Sequence, residues 1–188
     1  AQWPADVLAG PLRTSTFDLR RRCAAGLVRI NDAPKTLLRY LARDEISVAG
    51  PLLEHGLGFD DSDLIATIRA AVSSHWVAIS RRRNLTEPVC DALLQTGDVD
   101  VVETVLRNQS AKLSTQGIDL AVSRSRQAPD LAQFIVGRTE LRPAQALVLF
   151  WWANFHARQH ILRRFAVDRA VLLQELRVGA LRRRIGRL

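Results

Sequence analysis

His156 and His160 stand four residues apart, the spacing in this chain that comes nearest to a metal site. On a helix they share a face and could both reach one cation. The intervening Ala157-Arg158-Gln159 holds no glutamate to act as a base, so this is not the zinc-protease helix motif. No third ligand is evident, and Arg158, Arg163 and Arg164 would repel a cation. Two ordinary helix histidines are the favoured reading, and no metal or cofactor is expected. Ser, Cys and Asp occur in no spacing that implies a nucleophilic triad. Gly56-Leu57-Gly58 has neither a following lysine nor a preceding strand, which excludes a phosphate-binding loop. The chain is expected not to be an enzyme.

Other residues suit binding better than catalysis. Arg81-Arg82-Arg83, followed by Asn84, falls between two short helices, where guanidinium forks could grip a carboxylate or phosphate. The favoured alternative is that they serve helix ends and pair with neighbours such as Asp91. Phe150, Trp151, Trp152 and Phe155 form an aromatic cluster. Rings at successive positions cannot all enter one core, so one is expected to be exposed or covered by a later element. An aromatic beside Arg158 could anchor a partner, although core packing is the favoured role.

Charge is unevenly placed. The net charge is +8, yet residues 1–153 hold 18 basic and 17 acidic side chains, whereas residues 154–188 hold nine Arg against two acids. In this last segment Ile161, Leu162, Phe165, Leu172, Leu176, Leu181, Ile185 and Leu188 recur at helical intervals between arginines that include Arg163, Arg164, Arg182, Arg183 and Arg184. Such a basic amphipathic helix can cap the domain or pair with a second copy, the favoured readings. It can also dock a protein partner, an anionic membrane or, last in order, nucleic acid.

The elements that must carry these residues are helical. Apolar residues make up 47% and aromatics 6%, a balance suited to Leu, Val and Ala helix packing rather than a β-sandwich. The longest apolar run, Ala146 to Ala153, is far short of the ~20 residues of a membrane span. Cys23 and Cys90 lack metal-ligand spacing and fit a reduced, cytoplasmic protein. Methionine is absent, even at position 1, so either the sequence lies inside a longer gene or methionines are missing from it.

Cap residues punctuate the chain. Asp32 with Pro34, Asp44, Asp60 or Asp61, Thr86 with Pro88, Asp98, Ser114, Pro129 and Pro143 each open a helix. The expected inward positions include Leu37, Leu38 and Leu41; Ile46, Val48, Leu52 and Leu53; and Leu64, Ile65, Ile68 and Val72. Further inward positions are Trp76, Val77 and Ile79, then Val101, Val102, Val105 and Leu106. Gly50-Pro51 is expected to kink its helix, and the helix from Pro143 is expected to run through Trp152. Residues 43–55 align with 96–108 at an offset of 53, and Arg83-Asn84-Leu85 echoes Thr139-Glu140-Leu141. Each 53-residue unit thus holds two helix hairpins, the pattern of an α-solenoid.

Several motifs occur in order. They are Leu41-Ala42-Arg43-Asp44-Glu45 with Gly50-Pro51-Leu52-Leu53, then Ala78-Ile79-Ser80-Arg81-Arg82-Arg83-Asn84-Leu85-Thr86 with Val89-Cys90-Asp91-Ala92-Leu93. Val105-Leu106-Arg107-Asn108, Leu141-Arg142-Pro143, Phe150-Trp151-Trp152 and Ile161-Leu162-Arg163-Arg164-Phe165 follow. This series resembles a bacterial family designated domain of unknown function 2336, found mainly in alphaproteobacteria, over roughly residues 35–170. The resemblance implies a HEAT-like helical fold and no activity, cofactor or catalytic residue.

These readings converge on an all-α, HEAT-like solenoid of short antiparallel hairpins with longer C-terminal amphipathic helices. An N-terminal helical segment (1–31) precedes the repeats (32–153), and basic amphipathic helices (154–188) follow. The expected function is a non-catalytic scaffold or regulatory domain that docks a protein. Arg81, Arg82, Arg83, Trp151, Trp152, Arg158, Arg163, Arg164, Arg182, Arg183 and Arg184 are the candidate contacts. The alternative is a peripheral binder of anionic membrane or nucleic acid through the Arg-rich C-terminus.

Overall fold

A computed structural model describes Leu12 and residues 14–165, which form eleven α-helices, one 3₁₀ turn and no strand. The helices are α1 (Phe17–Leu27), α2 (Lys35–Leu41), α3 (Ile46–His55), α4 (Asp61–Ala70), α5 (Ser73–Ser80), α6 (Glu87–Gln95), α7 (Val99–Arg107), α8 (Thr115–Ser125), α9 (Ala132–Ile135), α10 (Pro143–Phe150) and α11 (Phe155–Phe165). The 3₁₀ turn, Pro129–Leu131, leads into α9.

Contacts sort the helices into two layers. In the odd-numbered layer α1 packs on α3, α3 on α5, α5 on α7, α7 on α9 and α9 on α11. In the even-numbered layer α4 packs on α6, α6 on α8 and α8 on α10. Even-layer helices begin at Lys35, Asp61, Glu87, Thr115 and Pro143, every 26 to 28 residues. The repeating unit is therefore a single hairpin, and the 53-residue offset in the sequence spans two of them. Each hairpin buries its apolar face on the next, the organisation of a helical stack.

Local chemistry sets most boundaries. Asp60, Asp98 and Ser114 cap α4, α7 and α8 by accepting from backbone N–H groups of the first turn. After α6 the chain turns through Gly97 at φ 74°, a conformation glycine adopts without steric cost. Three expected caps act otherwise. Thr86 stands at the N-cap of α6 but makes no cap bond there, its hydroxyl donating to Asp61. Asp32 does not cap, because α2 begins after Pro34. Asp44 lies one residue before the cap Glu45 of α3; it accepts from the Glu45 N–H and pairs with Arg20 at 2.6 Å.

Three further expectations change. Helix α10 ends at Phe150 instead of continuing through Trp152, because Asn154 starts α11 by accepting from the Ala157 N–H. Val72 is 64% exposed, since α4 stops at Ala70 and the helical register that pointed it inward stops with it. Ile46 is also exposed, at the first position of α3. Pro51 lies inside α3, which extends from Ile46 to His55.

Leu38, Leu41, Leu52, Leu53, Ile79, Leu93, Leu106, Ile118, Ile135 and Leu149 are among the fully buried side chains. Each such burial contributes roughly 2 kcal/mol. Cys90 lies among them as a small apolar group, its thiol pushed up to about 12 by burial. Among the described residues no helix is long and apolar enough to cross a membrane.

Candidate partner-docking surface

Two polar ladders tie the hairpins together, and they decide which charged residues are available to a partner. The first runs along the C-terminal ends of the odd-layer helices, where the last carbonyls lack intrahelical donors. Arg82 donates to Leu53 O at 2.6 Å and Gly56 O at 2.7 Å, closing the end of α3. The Asn108 amide donates to Ser80 O and Arg82 O, closing α5. Arg138 donates to Asn108 O at 2.9 Å and Ala111 O, closing α7. Arg164 donates to Val136 O, Arg138 O and Thr139 O beyond α9. Each donor reaches back one repeat.

Arg138 is the most enclosed of these, 2% exposed, and also pairs with Glu140 at 2.7 Å. Burial pushes the Glu140 carboxyl up, but the bonds from Arg138 and the Leu113 N–H outweigh it and hold it below its ordinary value. Burial lowers the pKa of Arg82.

The second ladder joins successive even-layer helices through aspartates. Asp63, 2% exposed, accepts from Lys35 Nζ at 2.6 Å and Arg39 Nε at 2.7 Å. Burial alone would raise its pKa, yet these two cations bring it below the ordinary carboxylate value. Asp61 accepts from Thr86 at 2.7 Å, Asp91 from Ser114 at 2.7 Å, and Asp119 from Gln145 Nε2 at 2.6 Å. Asp91, an expected partner of the arginine run, serves this ladder instead.

The sequence candidates are thereby divided. Arg81 and Arg83 are exposed, while Arg82 and Arg164 point their forks at the protein's own carbonyls. Trp152 is half-buried against the core and donates its ring N–H to Ser125 Oγ at 2.8 Å. Trp151 is 45% exposed. Arg158 and Arg163 are exposed, and Arg158 sits 5.5 Å from the Phe150 ring centre and donates to Trp151 O. Arg182, Arg183 and Arg184 lie outside the described residues. His156 and His160 are exposed on α11 beside Gln159, Arg163 and Arg164. Among the described residues no three His, Cys, Asp or Glu side chains converge as a metal site.

Where α8 meets α10 the even layer leaves a cleft of about 360 Å³. Trp152, Val122 and Val148 supply its apolar lining, and Asp119, Arg126 and Gln145 its polar groups. Val148 is 47% exposed, and Trp151 continues the apolar surface one turn farther along. The sequence offered Trp152 but neither Val148 nor Arg126, because the cleft is formed by residues on helices a full repeat apart. Arg138 was missed for the same reason, although the offset that matches Arg83 to Thr139 sets Arg82 opposite Arg138.

The cleft sets apolar side chains beside hydrogen-bonding groups that include Asp119, Ser123, Arg126 and Gln145. The model of a family described as an uncharacterised protein conserved in bacteria (DUF2336) matches residues 48–187. No curated protein and no solved structure matches the chain. The chain belongs to this bacterial family.

Proposed function

We propose that this member of the family is a non-catalytic scaffold or regulatory domain of HEAT-like build, acting in the cytoplasm, that docks a protein on the surface formed by α8, α10 and the following turn. The observation that carries this reading is the cleft itself: an aromatic floor at Trp152, valine walls, and exposed Val148 and Trp151 beside it. Concave, largely apolar sites with a few polar groups are where ligands and peptide anchors bind, and aromatic residues dominate binding energy at interfaces. The ladders hold the helices that frame the site, so its geometry is set before a partner arrives.

The second reading, an anionic membrane or nucleic acid held by the C-terminal segment, is favoured by the nine Arg against two acids in residues 154–188. Affinity capture from native lysate separates the two. The full chain is compared with Val148→Glu and with Arg182→Gln/Arg183→Gln/Arg184→Gln at low and moderate salt. Docking in the cleft predicts that Val148→Glu abolishes capture, while the triple variant and added salt leave it intact. A tail-driven binder gives the reverse result, with steep loss in salt.

A further inference from the structure

The docking surface carries a charge bias that narrows its partner, an inference that rests on the docking reading above. Between Glu140 and Asp168 the sequence has four arginines, Arg142, Arg158, Arg163 and Arg164, and no carboxylate. Within this stretch four large apolar side chains are exposed: Val148, Trp151, Leu162 at 39% and Phe155 at 68%. Phe155 and Leu162 are seven residues apart on α11 and share a face. Ala157 and Ile161, buried on the other side of that helix, take the packing against the stack.

Two guanidiniums adjoin these side chains, Arg126 lining the cleft with Val148 and Arg158 lying against Phe150 and Trp151 O. Arg126 is exposed at the cleft and makes no ion pair among the described residues. Arg158 makes none either, its bond to Trp151 O being to a neutral carbonyl. The cleft also holds one carboxylate, Asp119, which accepts from the neutral Gln145 amide at 2.6 Å and keeps its charge, so two guanidiniums stand against one acid.

We infer that this surface takes an acidic amphipathic segment of a partner protein. Its apolar side chains meet Val148, Trp151 and Phe155, and its carboxylates meet Arg126 and Arg158. A cationic segment would face unneutralised guanidiniums, and an uncharged one would desolvate them without a partner. A second copy would set one basic surface against another, which like-charge repulsion opposes.

The test uses the full chain and a synthetic helix-forming peptide of Leu and Glu, about 18 residues or five turns long, with a Leu and Lys twin. Phosphatidylglycerol vesicles and sedimentation equilibrium serve as parallel arms. The expected result is that the Glu peptide binds at least about tenfold more tightly than its twin. Arg126→Glu/Arg158→Glu reverses that preference, and Phe155→Ala weakens the Glu peptide several-fold. Equal binding of both peptides, or an unreversed preference in the double variant, overturns the inference. So does binding to vesicles without binding to the Glu peptide, or a dimer dissolved by Phe155→Ala. If Val148→Glu abolishes capture from lysate while the peptides bind alike, the docking surface stands and only its acidic partner falls. If Val148→Glu leaves capture intact, the docking reading itself has failed.

Discussion

The passage from α2 to α4 and the junction of α8 with α10 are the same step of the stack, made twice with different chemistry. In the first, the buried Asp63 is clamped between Lys35 and Arg39, and Asp60 and Asp63 complete a capping box at the start of α4. In the second, only neutral donors span the layer, Gln145 Nε2 to Thr115 O and Asp119 and the Trp152 ring N–H to Ser125, and a cleft opens beside them. The first step has its charges neutralised internally. The second leaves apolar walls and Arg126 facing outward. The proposed docking surface thus lies where the stack leaves its groups unpaired, whereas the first step consumes its charged groups internally.

Breaking the ladders should cost the most. Arg138→Ala leaves Ala111 O without a donor, takes one of two from Asn108 O, removes the cation that pairs with Glu140 and opens a cavity, so the expected loss is about 3 kcal/mol. Urea denaturation would show it, and a loss below ~1 kcal/mol would mean that the odd-layer ladder is ornamental to stability.

Asp63→Asn should cost about 2 kcal/mol, less than a fully enclosed pair because Lys35 and Arg39 are about half exposed. The sign with pH follows from the lowered pKa of Asp63. The folded carboxylate binds its proton less readily than the unfolded one, so its contribution is complete above the ordinary aspartate value near 4 and is lost as pH falls through the folded value. Stability measured from pH 7 down to pH 3 should therefore fall less steeply in Asp63→Asn than in the parent. Parallel curves would remove this clamp from the comparison.

A smaller effect is expected at Gly117. A Cβ there would stand 2.7 Å from Asp91 Oδ1 and 3.2 Å from Leu94 Cδ1, against the bond that joins Asp91 to Ser114. Gly117→Ala should lose about 1 kcal/mol net, the displaced contact outweighing the helix propensity that alanine adds. A stabilised variant would show that the Asp91 rung is dispensable.

The open junction should respond in the opposite manner. Val148→Glu is expected to shift stability by less than ~0.5 kcal/mol, since the side chain is about half exposed. On the proposed docking reading its effect falls on binding instead. A large loss of thermal stability would place Val148 with the sealed regions and dissolve the contrast.

Legibility in the sequence followed the range of the interaction. Asp60, Asp98 and Ser114 were readable because a cap bonds within three residues of itself. Apolar spacing likewise identified Leu37, Leu52, Val105 and Leu106 as core. The same rule overextended α10 through Trp152, where a cap for the following helix ends the preceding one. Arg82 was readable as a basic side chain between helices, but not as a clamp on Leu53 O, a contact 29 residues away. Arg138 drew no notice for that reason, since nothing near it in the chain advertises the carbonyls it closes. The cleft required two helices a repeat apart, and only the aromatic at its floor was visible beforehand.

All four donors of the odd-layer ladder point the same way along the chain. Arg82, Asn108, Arg138 and Arg164 each close a helix end that was laid down 25 to 30 residues earlier. A ribosome releases the N-terminal residues first. A newly made hairpin therefore emerges with its final carbonyls open and stays so until the following hairpin is synthesised and its donor swings back. Assembly is in this respect a zipper with one direction, in which each unit is completed by its successor, and a pause in translation one hairpin short would leave the preceding helix end unlatched.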